Sequence, residues 1–441
     1  MRNTIRRLLP ATLLTLCAPH LLAADKELLD VLLGNGAITR EQYETLLAKP
    51  ELKKSDVQDI KIQVGGGGIQ AASADGLNEI KIGTRLHIQA AGHDGDLPAG
   101  VDATDGSQFR RARIELSGKF LGDFAWAAEI DFAEDRVSAK EMKVGYVGLP
   151  NTTLFFGNQK QPYSLSVEMS ANDLPFIERS VDNEIVMPLT DRAIGGRVDT
   201  WGEKWFFAAG VFGESTTANT RDDEGLGGAV RFVYAPLIES DRVIHLGVRA
   251  AVRTPPASTD SFRFRDRTTN LSNLSIINTG EIGSIDKALL YGAEAAAAFG
   301  AFSVVGEYNT LALNRERVQD LDFHSWHVYA TWSLTGETRA STYRIDAGEF
   351  KRISPAKAFS YEDGNWGAWE LALRYAHLDV NDGSFTGGTE SVLTSALNWY
   401  LNKNIRLMFE HSRILDTDEG NALRDAAEGL NIYQFRTQLA F

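Results

Sequence analysis

The chain has 441 residues, and its 45 basic and 59 acidic side chains give a formal net charge of −14. So acidic a chain lacks the basic face that a nucleic-acid partner demands. A single cysteine rules out a disulfide framework, and no apolar run reaches the roughly 18 residues of a transmembrane helix.

Residues 1–24 read as a secretory signal: Arg2, Arg6 and Arg7 precede an apolar run from Leu8 to Leu16, and Leu22-Ala23-Ala24 stands before Asp25. Cys17 lies inside that segment, so no cysteine chemistry is expected of the mature chain. Residues 25–64 are expected to be a helical, periplasmic segment. Leu28, Leu29, Val31, Leu32 and Leu33 form an apolar stripe that stops at Gly34-Asn35-Gly36, and Thr39 with Gln42 has the spacing of a capping box before Tyr43, Leu46 and Leu47. Two helices this short are marginal alone. They either pack on their own body or self-associate. Gly65 to Gly68 begins a glycine-rich linker over residues 65–76.

From Leu77 to Phe441 the period changes to two. Ile80, Ile82, Leu86 and Ile88 alternate with Lys81, Arg85, His87 and Gln89. Phe124, Trp126, Ala128 and Ile130 alternate with Ala125, Ala127, Glu129 and Asp131. The pattern recurs at Ile244–Val252, Trp326–Leu334 and Trp369–Tyr375. Many runs reach the ten residues that a tilted strand needs to cross a bilayer. Connections alternate between short (121–123, 150–152, 201–204, 299–301, 401–404) and long (93–107, 160–192, 214–224, 254–286, 313–321, 379–389, 414–428). That asymmetry predicts an all-β fold: a transmembrane antiparallel barrel of about sixteen strands over residues 77–441, in the bacterial outer membrane and in contact with its lipid. Residues 336–365 are the exception, a long connection on the short-turn side.

If the apolar sets face lipid, the intervening residues line the lumen. They include Arg85, Arg111, Arg113, Arg197, Arg231, Arg249, Arg253, Arg374, Arg406 and Arg436, against Glu115, Glu129, Asp131, Glu294, Glu307, Glu370 and Glu410. Rows of permanently charged guanidinium groups suit the passage of phosphate or carboxylate. The same arginines can instead pair with the wall acids and only hold the polar interior together. Residues 160–192 form a connection too long and too apolar (Leu165, Val167, Met169, Leu174, Phe176, Ile177) for a free linker. The expectation is a loop folded into the lumen that narrows an otherwise wide channel.

Several stretches resemble the phosphate-selective porin O/P family: Gly83-Thr84-Arg85-Leu86, Phe109-Arg110-Arg111-Ala112, and Phe156-Gly157 through Pro162-Tyr163-Ser164-Leu165 to Phe176-Ile177-Glu178-Arg179-Ser180. Val243–Gly247 and Leu334–Glu337 are similar as well, and the resemblance covers most of the chain after Gly68. It implies a homotrimeric porin whose third long loop folds inward, with an arginine ladder carrying small anions to the constriction. By position, Arg85, Arg110, Arg111 and Arg179 match family arginines, Arg249 and Arg253 match more loosely, and Arg113 joins them on the wall. Val167 and Asn172 stand where the resemblance places lysines. The loop itself, with Lys160, Arg179 and Arg192 against Glu168, Asp173, Glu178, Asp182, Glu184 and Asp191, is acidic. A general or weakly cation-leaning pore without a phosphate site therefore stays open as the alternative.

An outer-membrane enzyme is the competing class. It needs a nucleophile and a histidine projecting together from the wall. The eight histidines are scattered, and His324 and His327 point to opposite faces by alternation. No catalytic residue, metal site or cofactor is expected.

Overall fold

The computed structural model describes residues 26–47, 60–216, 223–256, 258–267, 269–272, 274–418 and 422–441. The secretory signal expected over residues 1–24 lies outside the described residues. Helices α1 (Lys26–Gly34) and α2 (Arg40–Leu47) belong to a unit of their own, apart from residues 61–441. The capping box is in place. Thr39 N–H donates to Gln42 Oε1 (2.9 Å), and Gln42 N–H donates to Thr39 Oγ1 (3.2 Å). The Tyr43 hydroxyl donates to the Asp30 carboxylate and ties the two helices together.

The second unit opens with β1 (Lys61–Gly65) and β2 (Gly68–Ala72), which pair from Lys61↔Ala72 to Gly65↔Gly68. The glycine run expected as a linker is therefore the turn of a hairpin. Glycine's freedom serves a tight reversal here, and β2 goes on to pair with β3 (Glu79–Asp94). The chain then runs through β4 (Gly106–Phe120), β5 (Phe124–Asp131), β6 (Ser138–Leu149), β7 (Thr152–Gln159), β8 (Ala193–Trp201), β9 (Trp205–Phe212) and β10 (Leu226–Ile238). Next come β11 (Arg242–Thr254), β12 (Ile285–Phe299), β13 (Phe302–Arg315), β14 (Leu321–Ser333) and the short pair β15 (Tyr343–Arg344) and β16 (Glu349–Phe350). The last four are β17 (Ala368–Asp382), β18 (Phe385–Tyr400), β19 (Ile405–Thr417) and β20 (Asn431–Ala440).

Strands β3 to β14 and β17 to β20 pair antiparallel in chain order. β20 closes on β3 from Asn431↔Asp94 to Ala440↔Arg85. The result is a closed barrel of sixteen strands. Closure leaves no open edge within it, which is the condition for a sheet to stand in lipid. Burial is inverted relative to a soluble protein. Phe232, Leu246, Val248, Val304 and Leu373 are exposed on the outside, while Arg231, His245, Glu294, Arg406 and Arg436 are buried inside. Aromatic pairs mark both rims of the apolar band. Phe302 stacks on Trp332 and Trp369 on Trp399 near the short turns, and Trp326 stacks on Tyr375 towards the long loops. Trp326 and Trp332 lie about 20 Å apart along β14 at the usual rise per residue.

Two connections are shorter than expected. β17 and β18 continue to Asp382 and Phe385 and join through Gly383-Ser384, so most of 379–389 is paired strand. β13 and β14 likewise leave only residues 316–320 between them. In both places polar turn-forming residues hide a ladder that runs on past the apolar band.

Candidate functional site

The 160–192 loop crosses the lumen as expected, and its anchors come from many parts of the wall. Ser164 caps a single helical turn, Leu165–Glu168, by accepting from Val167 N–H (3.1 Å). The unused N–H groups of that turn go to wall carboxylates: Leu165 to Glu294 (2.9 Å) and Ser166 to Glu307 (2.7 Å). Its carbonyl end is met by cations. Lys160 Nζ donates to the carbonyls of Glu168 (2.8 Å) and Met169 (3.2 Å), and Arg179 donates to those of Ser166 (2.6 Å) and Met169 (2.8 Å). Further along, Ile177 N–H reaches Glu410 (2.8 Å), Arg406 reaches the Leu174 carbonyl (2.8 Å) and Asn398 the Pro175 carbonyl (2.8 Å).

Two of the loop's acids, Glu168 and Glu178, are counter-charges of the wall's arginines. Arg111 takes both oxygens of Glu178, Arg110 approaches the same carboxylate at 3.2 Å, and Arg436 at 2.5 Å. Arg110 and Arg111 are consecutive and would alternate in a regular strand. The register shift between His87↔Arg111 and Ile88↔Phe109 leaves Arg110 as the extra residue of a bulge, which turns both inward. Glu168 forks onto Arg197 (3.0 and 3.1 Å), Asp182 meets His327 (2.8 Å), and Asp191 meets Arg192 (3.3 Å). Asp173 is engaged from the short-turn side by Lys351 (3.5 Å) and by the Arg352 N–H (3.3 Å). His324 and His327 face opposite sides, the first exposed and the second buried.

The remaining expected positions fall on the inner wall. Arg85 pairs with Glu115 (2.7 Å), and Arg113 with Asp131 (2.6 Å) and Glu129. Arg249 bonds Glu294 (2.6 Å) and Glu307 (3.0 Å), deep behind the loop with Tyr163 against its guanidinium. Arg253 sits near the long-loop rim on Glu214 (2.6 Å). Val167 is buried in an apolar cluster, and Asn172 Oδ1 stands 2.9 Å from His87 Nε2.

Residues 336–365 also fold inward, from the short-turn end. Ala340, Tyr343 and Phe350 pack with Leu165, Met169, Leu174 and Phe176 of the loop. Arg231 donates to the Gly348 carbonyl (2.7 Å), His245 Nδ1 stands 2.8 Å from the Tyr343 hydroxyl, and Arg339 forks onto Glu370 (2.7 and 2.9 Å). Gly348 is required there. Its φ is +58°, and a Cβ would meet Phe206, Arg231 and Val233 at 3.1–3.2 Å.

What the loop leaves open is a polar cavity of about 360 Å³ against β3–β8. Arg85, Arg111, Arg113, Lys143 and Arg197 of the wall line it, with Lys160, Arg179 and Arg192 of the loop. Among the described residues, the carboxylates that line it are Glu129, Glu141, Glu168 and Asp199, while Glu115, Asp131, Glu178 and Asp191 hold some of the same cations from outside the lining. Most of these cations have a carboxylate partner. Lys160 and Arg179 instead bond carbonyls and, among the described residues, form no ion pair, so their charges are not cancelled at contact. Burial, with Arg179 and Arg192 nearby, pushes the Lys160 ammonium down to about 7. Lys143 and Glu141 were missed in the sequence because β6 carries no clean alternation there.

The family model of phosphate-selective porin O and P matches residues 80–441. The chain belongs to that family. Porin O of Pseudomonas aeruginosa is 25% identical over 392 residues, 80% of this chain and 86% of that one. Among solved structures, the anion-selective porin from Comamonas acidovorans superposes with a TM-score of 0.51 at 13% identity, over 82% of this chain and 100% of the other. OmpT of Vibrio cholerae in its trimer form gives 0.50 at 10% identity, over 82% and 99%. This family member is thus a bacterial outer-membrane protein whose barrel forms a channel.

Proposed function

We propose that this porin is a water-filled, passive diffusion channel that favours small anions, phosphate among them, and has no catalytic role. The reading rests on the polar cavity beside the constriction loop, which is lined by eight cationic side chains and four carboxylates. Two of those cations, Lys160 and Arg179, are spent on carbonyls alone. The acidic balance of the loop does not argue for cations, because Glu168, Glu178, Asp182 and Asp191 are each engaged by a wall or loop cation. A low-dielectric, narrow site makes the uncancelled charges felt at short range. Similarity to Porin O and the fold shared with an anion-selective porin support the same direction.

The assembly proposed is a homotrimer in outer-membrane lipid, on the example of the related fold described in trimer form. The α1–α2 unit is proposed to lie in the periplasm and assist that assembly. The deciding test for phosphate is a titration of inorganic phosphate into chloride current through the purified protein in planar bilayers. Block at low phosphate concentration that weakens in the double variant Arg85→Ala/Arg111→Ala supports a phosphate station. Chloride current indifferent to phosphate leaves a general anion pore.

A further inference from the structure

Loop 255–284, the connection after β11, also packs inward. Phe264, Ile277 and Ile282 join Tyr163, Val167, Ile185 and Leu189 of the constriction loop in one apolar cluster. At the border of that contact three carboxyl groups from three segments converge: Glu184 of the constriction loop, Asp266 of the 255–284 loop and Glu390 of β18. They line a cavity of about 90 Å³. One Asp266 oxygen accepts from Ile277 N–H (2.7 Å). The Asp266 and Glu390 carboxyls stand within hydrogen-bonding reach of each other. Both residues are 3% exposed, and among the described residues Glu390 Oε2 has no hydrogen-bond partner. Two ionised carboxylates cannot bond each other. A proton between them satisfies that buried oxygen and removes a like-charge contact.

We propose that Glu184, Asp266 and Glu390 form a proton-held clasp that fastens the 255–284 loop to the constriction loop and the wall, and that ionisation of the clasp loosens the outer part of the pore. Each neighbouring element contributes charge to the balance. Glu178 and Arg179 from the constriction loop, Arg374 from β17 and Glu410 from β19 line the same cavity. Arg265 and Arg267 flank Asp266 and partly offset the trio, whereas Asp182 is taken by His327 and Ser180. Arg374 is itself committed to the Glu178 carbonyl (3.1 Å) and the Phe176 ring, so among the described residues no cation bonds Glu390 directly.

The sign follows from the two loop acids. Burial, with Asp266 and Asp182 close by, pushes the Glu184 carboxyl up to about 8, and burial pushes Asp266 up to about 7. Below those values the protons stay and the clasp holds. Above them like charges accumulate in a small cavity and the contact is lost.

The test is single-channel conductance of the full-length porin in potassium chloride from about pH 5 to about pH 9. Native protein is expected to show conductance, or open-channel noise, rising with a midpoint between about 7 and about 8. Asp266→Asn and Glu390→Gln keep shape and supply a permanent N–H donor, so each variant should stay at the low level across the range. Loss of charge at Lys160 over the same range reduces anion flux, the opposite sign, and total conductance is read whichever ion the pore prefers. Hydrogen exchange of residues 258–284 in the native protein, corrected for intrinsic rate, needs no variant and should show lost protection at high pH. A flat native conductance with unchanged protection overturns the clasp, as does a rise that persists in both amide variants.

Discussion

Arg111 forks both arms of its guanidinium onto the Glu178 carboxylate, at 2.9 and 3.0 Å, and so joins the inner wall to the middle of the constriction loop. Arg110 and Arg436 converge on the same group, the latter from 258 residues away in sequence. The arginine row and the acidic loop are therefore two halves of one structure. Glu168, Glu178, Asp182 and Asp191 are each held by a cation, which is why the proposed passage is read as positive although the loop is acidic.

Glu178→Gln removes the anion shared by Arg110, Arg111 and Arg436, and so frees the charge of Arg111, which lines the cavity. The expected result is a zero-current potential shifted further towards anions, with noisier open-channel current because an anchor is weakened. An unchanged potential would show that these arginines do not face the permeating ions.

Lys160 predicts a pH effect of its own. Its ammonium is pushed down to about 7, so the positive form is present below that value and lost above it. Anion preference should decline as pH rises through about 7, and Lys160→Arg, charged at every accessible pH, should flatten the profile. Zero-current potentials taken at matched gradients across the range measure both.

The inward 336–365 segment narrows the short-turn end. Replacing residues 343–350 by a short turn removes Tyr343 and Phe350 from the shared apolar cluster and the carbonyl partner of Arg231 at Gly348. Single-channel conductance is expected to rise. Conductance equal to that of the native protein would place the limiting width elsewhere.

Ser164→Ala removes the cap of the Leu165–Glu168 turn, at a cost of about 1 kcal/mol of local stability. The wall bonds from Glu294 and Glu307 remain, so the fold should persist while amide protection at residues 165–169 drops by about fivefold.

Much of this architecture is legible in the sequence, because a membrane barrel writes its two faces into alternate residues. Ile244, Leu246 and Val248 against His245 and Arg249 announce a strand with an apolar outside and a polar inside. The apolar content of residues 160–192 likewise gives away an inward fold. Where period-two alternation breaks, legibility ends. The bulge that turns Arg110 inward leaves no mark in Phe109-Arg110-Arg111, and glycine conceals the β1–β2 hairpin because it has no face. Partner choice is hidden for a different reason. Glu178 meets Arg111 and Arg436, and Glu168 meets Arg197, through closure of the whole barrel, so charge counted along the loop misstates the charge a solute meets. The carboxyl clasp is hidden likewise, since Glu184, Asp266 and Glu390 are neighbours only after two loops have folded into the lumen.

The proposed passage is net positive although the chain and its constriction loop are acidic. The most direct measurement is the zero-current potential of the purified porin in a planar bilayer under a potassium chloride gradient. A potential of the anion-selective sign is expected, reduced in Arg85→Ala/Arg111→Ala. A cation-selective potential in the native protein would contradict it and give the governing role to the loop's carboxylates.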